Sequence, residues 1–204
     1  MEHYHFTGTP PRSRFSARTA FRHALTAVGT QQTVQAIFRR GAWVKTRYAN
    51  ASNRAQNGCA RQVRACERFF DARTAAGQTG ITYNLGAPTG CAASIAPDTS
   101  LEATTRGECS SVLGAECDRV AQLESQRLLR HEQFHFNIAC ELAKKGTLAI
   151  LRGENPQRTL RTVRRLAARQ TTVYDNQTRH GCNATAQATW EADIQAWLPG
   201  ISIP

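Results

Sequence analysis

Between Cys117 and Lys145, apolar residues return at close to helical spacing: Val120, Leu123, Leu128, Phe134, Ile138 and Leu142. This is the strongest periodic stretch of the chain, and it predicts a helix with Gly146 as its C-terminal stop. A second helix is announced by Asn155 as cap and Pro156 in the first turn, followed by Leu160, Val163, Leu166 and Ala167. A third begins near Asn183 and carries Trp190, Ile194, Trp197 and Leu198 before Pro199-Gly200 ends it. The polar run from Tyr174 to Gly181 is then the connection between the last two.

Upstream the pattern is weaker. Gly58 to Arg73 reads as a helix with Val63, Cys66, Phe69 and Phe70 on one side. From Ser13 to about Arg40, Phe15, Phe21, Leu25, Val28, Val34, Ile37 and Phe38 mix with polar residues, compatible with a helix interrupted near Gly29. Ala42–Tyr48 and Ile81–Leu85 are strand candidates, the latter bounded by Gly80 and Gly86, and are expected to form a short sheet. Residues 1–12, with Gly8, Pro10 and Pro11, are expected to be loosely ordered. Residues 13–204 are expected to form a single domain with a cysteine-rich insertion around 75–117. The fold class that follows is α+β, mostly helical, with a small sheet.

Composition narrows the setting. An apolar fraction of 41% and a charged fraction of 20% are ordinary for a globular protein. No apolar run approaches the ~18 residues needed to cross a membrane. The basic segment Met1–Arg22 lacks the apolar stretch of a secretory signal. The net charge of +11 favours acidic partners, yet aromatic interleaving is sparse and no nucleic-acid motif is present. Most of the arginines read better as a solvated helix face than as a dedicated nucleic-acid site. The seven cysteines contain no C-x-x-C pair, which argues against a zinc knuckle. They predict an oxidised framework of up to three disulfides with one spare thiol. The expected location is therefore outside the producing cell despite the missing signal, with the cytoplasm as the alternative.

The chemistry sits inside the strongest helix. His131-Glu132-Gln133-Phe134-His135 is an H-E-x-x-H motif. Residues i and i+4 share a helical face, so both imidazoles can reach one Zn2+ while Glu132 serves as general base. Catalytic zinc takes three protein ligands and keeps a fourth position open. His180 is the only downstream histidine and is the expected third ligand. Asp175, Glu154 and Glu141 are its rivals, Glu141 the weakest because it lies on another helical face.

The segment Leu128–Ala139, followed by Tyr174-Asp175-x-x-Thr178-x-His180-Gly181 and by Gln187-x-x-Trp190, resembles a bacterial family of uncharacterised domains described as secreted zinc-dependent proteases. The resemblance covers about Leu128 to Trp197. It implies a zincin-like metallopeptidase fold with His131, His135 and His180 as ligands and Glu132 as catalytic base. The chain departs from the pattern at Asn137, where an acid is common, and in its cysteine-rich middle.

With His180 at the metal, Tyr174 and Asp175 fall nearby. Tyr174 is a candidate catalytic residue that stabilises an oxyanion, or else a tyrosine stacked on the core. Asp175 is expected to orient a ligand histidine or to cap a turn. Trp190 is expected in the core, and a Cys140–Cys182 bridge would tie the motif helix to the His180 loop. The expected function is zinc-dependent hydrolysis of a protein, peptide or cell-wall substrate. The alternative is a non-catalytic, metal-stabilised module for an anionic partner.

Overall fold

The computed structural model describes residues 7–9, 17–39, 41–44, 60–84, 101–192 and 194. The chain divides into two compact units, one made of Met1–Val44 with Leu129–Pro204, the other of Lys45–Leu128. Its architecture is mostly helical with small two-stranded sheets, as the class α+β requires. No helix among the described residues is long and apolar enough to cross a membrane.

In the first unit the expected helix over Ser13–Arg40 is instead a hairpin. Strand β1 is Ala17–Arg18, β2 is Phe21–Val28 and β3 is Gln31–Phe38. Residues 13–16 and 40 lie outside the described residues. β2 and β3 pair antiparallel, with Phe21 opposite Phe38, His23 opposite Ala36, Leu25 opposite Val34 and Val28 opposite Gln31. Only Gly29 and Thr30 remain for the turn, and Gly29 takes φ +61° there, as two-residue hairpin loops demand. The inward face alternates with period two, but one of its members is the buried His23. A histidine at a core position hid the alternation that marks a strand. His23 is accommodated because its Nε2 lies 2.9 Å from the Ala139 carbonyl, and burial pushes its pKa down.

Strand β4, Trp43–Val44, pairs with β1, so the candidate at Ala42–Tyr48 is a strand in its first part; residues 45–48 lie outside the described residues. The strand candidate at Ile81–Leu85 is realised as β5, Tyr83–Asn84, paired with β6, Glu102–Ala103. Helix α1 is Ala60–Ala75, close to the expected span. The two strand candidates do not join in one sheet, because each has a nearer partner of its own.

Helix α2 runs from Gly114 to Leu151, after a π-helical turn over Cys109–Leu113. It supplies Leu129–Leu151 to the first unit. Helix α3 is Pro156–Thr178 and α4 is Ala184–Ala192. The Asn155 side chain accepts from the Arg158 N–H, and Pro156 stands in the first turn, as the sequence indicated. Asn183 caps α4 in the same way through the Ala186 N–H. The core of this unit gathers Val34 from the hairpin, Phe134, Ile138 and Leu142 from α2, Leu160, Val163 and Tyr174 from α3, and Trp190 from α4.

Two helix ends differ from expectation. The Tyr174–Thr178 segment is the last turn of α3, not a connection: Tyr174 and Thr178, four residues apart, are both buried there, and the Thr178 hydroxyl donates to the Tyr174 carbonyl. Gly146 does not stop α2. A Cβ placed there would lie 2.7 Å from Val163 Cγ2 and 3.1 Å from Val34 Cγ2, so the glycine lets α3 and β3 close on the helix. The stop is Gly153, at φ +102°, where the Glu154 N–H reaches back to the Ala149 carbonyl.

The second unit has a small core of Cys66, Phe70, Ala103, Cys109 and Leu113, tied by a Cys66–Cys109 disulfide. Cys182 is also disulfide-bonded. Cys140 is a free thiol, so the expected Cys140–Cys182 bridge is not formed, and Cys117 is free as well. With two thiols among seven cysteines, at most two bridges are possible and not three. Both thiols are half-buried, and burial raises their pKa, which makes them poor nucleophiles.

Gly146→Ala should destabilise the protein although alanine is the better helix former. The helix-propensity gain is about 1 kcal/mol, whereas overpacking a filled site costs about 1–3 kcal/mol. Chemical denaturation should show a lower midpoint with an unchanged slope, and a higher midpoint would contradict the close packing at Gly146.

Candidate metal centre

Helix α2 carries His131 and His135 one turn apart on the face that meets α3 and α4. Both are buried, as is Glu132. The last turn of α3 brings Asp175 opposite them, and the chain leaving that helix brings His180. Arg179, His180 and Gly181 have φ of +50°, +55° and +80°, a run of left-handed residues that two non-glycines adopt at a cost. Five bonds hold this turn: Arg179 N–H to the Asn176 carbonyl, His180 N–H to the Asp175 carbonyl, Cys182 N–H to the Arg179 carbonyl, Asn183 N–H to the Thr178 carbonyl, and Gly181 N–H to Thr178 Oγ1. The turn folds His180 back over the end of its own helix, toward Asp175.

The result is a convergence on one atom. Asp175 Oδ1 lies 3.1 Å from His131 Nε2, 3.0 Å from His135 Nε2 and 3.4 Å from His180 Nδ1. His131, Asp175 and His180 present ligand atoms within 4.8 Å of one another, and His135 reaches the same carboxylate from outside that tighter group. The His180 side chain is 57% exposed, so the centre opens to solvent on that side. Such a set of imidazole nitrogens and a carboxylate oxygen can hold a metal ion.

The surrounding bonds fix which nitrogen faces the centre. Gln187, buried on α4, donates from Nε2 to Glu191 Oε1 at 2.7 Å. Glu191 is in turn ion-paired with Arg130. Gln187 Oε1 is thereby left facing His131 Nδ1 at 3.3 Å, an acceptor that favours a proton on Nδ1 and so frees Nε2 for a metal when one is bound. Burial lowers the His131 pKa, against the opposing pull of Asp175, and favours that neutral form. Burial pushes the Asp175 carboxyl up, but the imidazoles of His131 and His135 outweigh it and hold the carboxyl well below the usual range. In the metal-free site the imidazoles share protons with the Asp175 carboxylate, and a bound cation would take the place of those protons among the same nitrogen and oxygen atoms. The donor set therefore fits a cation.

Glu132 is clamped from the hairpin side. The Thr19 N–H donates to Glu132 Oε2 at 2.6 Å, and Thr19 Oγ1 lies 2.7 Å from the same oxygen and 2.8 Å from the Glu132 carbonyl. One carboxylate oxygen is thus held by the loop between β1 and β2. Tyr174 is fully buried, its ring stacked on His131 at 4.7 Å and edge-on to His135, and its hydroxyl has no partner. Trp190 is buried in the core and donates to Gln177 Oε1.

The structure therefore brings together His131, His135, His180 and Asp175, with Glu132 adjacent to His131 on α2. It does not bring in Glu141, which pairs with Lys144, or Glu154, which follows the far end of α2, roughly 25 Å along the axis from His135. Gln187 meets the second nitrogen of His131, while Asp175 faces His180 through Nδ1 at 3.4 Å. Thr19 could not be read from the sequence, since it is 113 positions from Glu132 and belongs to no motif. Gln187 was visible only as part of Gln187-x-x-Trp190, where i and i+3 put both residues on one face of α4. The chain matches no protein-family model, no curated protein and no solved structure.

Gln187→Leu removes the acceptor that sets the His131 tautomer while keeping side-chain bulk. Metal affinity, titrated against a chromophoric chelator, should fall about 10- to 100-fold with α4 intact. Unchanged affinity would mean that His131 needs no orienting partner.

Proposed function

We propose that this protein is a zinc-dependent peptidase of the zincin type, with His131, His135 and His180 as metal ligands and Glu132 as general base. The observation that carries this reading is the approach of three imidazole nitrogens to a single point, beside a glutamate held by Thr19. The resemblance of Leu128–Trp197 to secreted zinc-dependent proteases supports the same reading. When bound, the metal would supply Lewis acidity toward the scissile carbonyl and toward water. Glu132, with Oε2 fixed by two Thr19 donors, takes the proton of the attacking water and returns it to the leaving amine. Tyr174 supports His131 through its ring; in this reading the oxyanion role needs its hydroxyl to be reachable from the substrate.

The Cys66–Cys109 disulfide is compatible with work outside the producing cell. The net charge of +11 suits an anionic protein or cell-wall target.

One observation favours a second reading. Asp175 Oδ1 lies within 3.4 Å of all three imidazoles. As a fourth ligand it would close the site and make the metal structural, leaving a binding module for an anionic partner.

Purified protein should carry about one zinc per chain. Glu132→Gln should keep that zinc and lose hydrolysis by about 10²- to 10⁴-fold, because an amide takes no proton from water. Elemental analysis beside a peptide-hydrolysis assay reads both. Equal hydrolysis by the two proteins would remove Glu132 from the chemistry. Stable zinc with no hydrolysis in either would favour the closed structural site.

A further inference from the structure

A cavity of about 450 Å3 lies between the hairpin and α3, lined by Phe21, Arg22, His23, Arg39, Arg164, Ala167, Ala168 and Thr171. It holds three arginines and no acid. Arg164 Nε and Nη2 donate to the His23 carbonyl at 3.2 and 2.9 Å, which fixes the guanidinium and leaves its Nη1 uncommitted to that contact. No described carboxylate pairs with Arg22 or Arg39. The Thr171 hydroxyl in the wall is buried and has no hydrogen-bond partner.

The cavity adjoins the metal centre along three elements. On α3, Arg164, Ala168, Thr171 and Asp175 follow one another at i+4, i+3 and i+4, so one helical face runs from the cavity to the metal group. Along the hairpin, Thr19 touches Glu132 while His23 touches the Ala139 carbonyl. Four extended residues from Thr19 to His23 span about 13 Å, and the seven helical residues from Glu132 to Ala139 span about 10 Å, so this loop and the start of β2 track α2 from the motif to the cavity. From Thr171 or Ala168 to Asp175 the helix rises roughly 6–10 Å, the length of two or three extended residues.

Building on the peptidase reading, we propose that this cavity is a specificity subsite for an acidic side chain, two or three residues from the scissile bond of an extended peptide. The carboxylate meets Arg22, Arg39 and the fixed Arg164, and Thr171 supplies a hydroxyl. Phe21, Ala167 and Ala168 take the methylenes of the side chain.

The test separates binding from hydrolysis by using full-length, zinc-loaded Glu132→Gln protein. Fluorescein-labelled alanine-based octapeptides carry one glutamate scanned through every position, each with its glutamine twin, and binding is read by anisotropy. A labelled single-stranded oligonucleotide forms the second arm. Glutamate should bind on the order of tenfold tighter than glutamine at one position. That preference should vanish in Arg22→Ala/Arg39→Ala, whose exposed sites leave zinc content and melting temperature unchanged. Equal affinity of the twins at all positions, or a preference that survives the double variant, overturns the subsite. An oligonucleotide bound more tightly than every peptide, and released by the same double variant, overturns it in favour of a nucleic-acid site. None of these outcomes depends on whether the wild-type protein cleaves a peptide, which the Glu132→Gln comparison of hydrolysis decides by itself.

Discussion

The first unit is organised around one convergence: nitrogens of three imidazoles meet a single carboxylate oxygen of Asp175. Much of the neighbouring structure serves to maintain that arrangement. The Arg130–Glu191–Gln187 relay favours a proton on His131 Nδ1, away from the centre. Tyr174 packs against both motif histidines and Trp190 packs against Tyr174, so the apolar core itself sets the angle of the rings. The left-handed run at Arg179–Gly181 stores backbone strain to return His180 over Asp175. A cation held at that point would replace the protons that the imidazoles share with Asp175.

The site draws on four separate stretches of chain, and their separation governs what the sequence could disclose. Two histidines at i and i+4 on a strongly periodic helix are a local pattern, so the H-E-x-x-H motif and its helix were legible. His180 was legible by elimination, as the one histidine downstream. The cap at Asn155-Pro156 was equally local. Contacts over long sequence separations were not: Thr19 meets Glu132 across 113 positions, and nothing near Thr19 signals a partner.

Other differences trace to residues that play against type. His23 occupies an inward position of β2, which erased the alternation of a strand and left a pattern that reads as broken helix. Gly146 reads as a helix stop, yet its missing side chain is needed for close approach by Val163 and Val34, a tertiary demand that overrides propensity. The polar run after Tyr174 reads as loop because its outward positions are polar, while Tyr174 and Thr178 are buried at i and i+4. Cysteine spacing carries no pairing information: Cys66 joins Cys109, and Cys182 is bridged while Cys140 stays a thiol.

The most direct test of the account is X-ray absorption at the zinc edge on the zinc-loaded protein. The account predicts a first shell of nitrogen and oxygen near 2.0–2.1 Å, with the outer-shell scattering of about three imidazoles and no sulfur. A sulfur shell near 2.3 Å would place the metal on cysteines and contradict the centre described by His131, His135, His180 and Asp175.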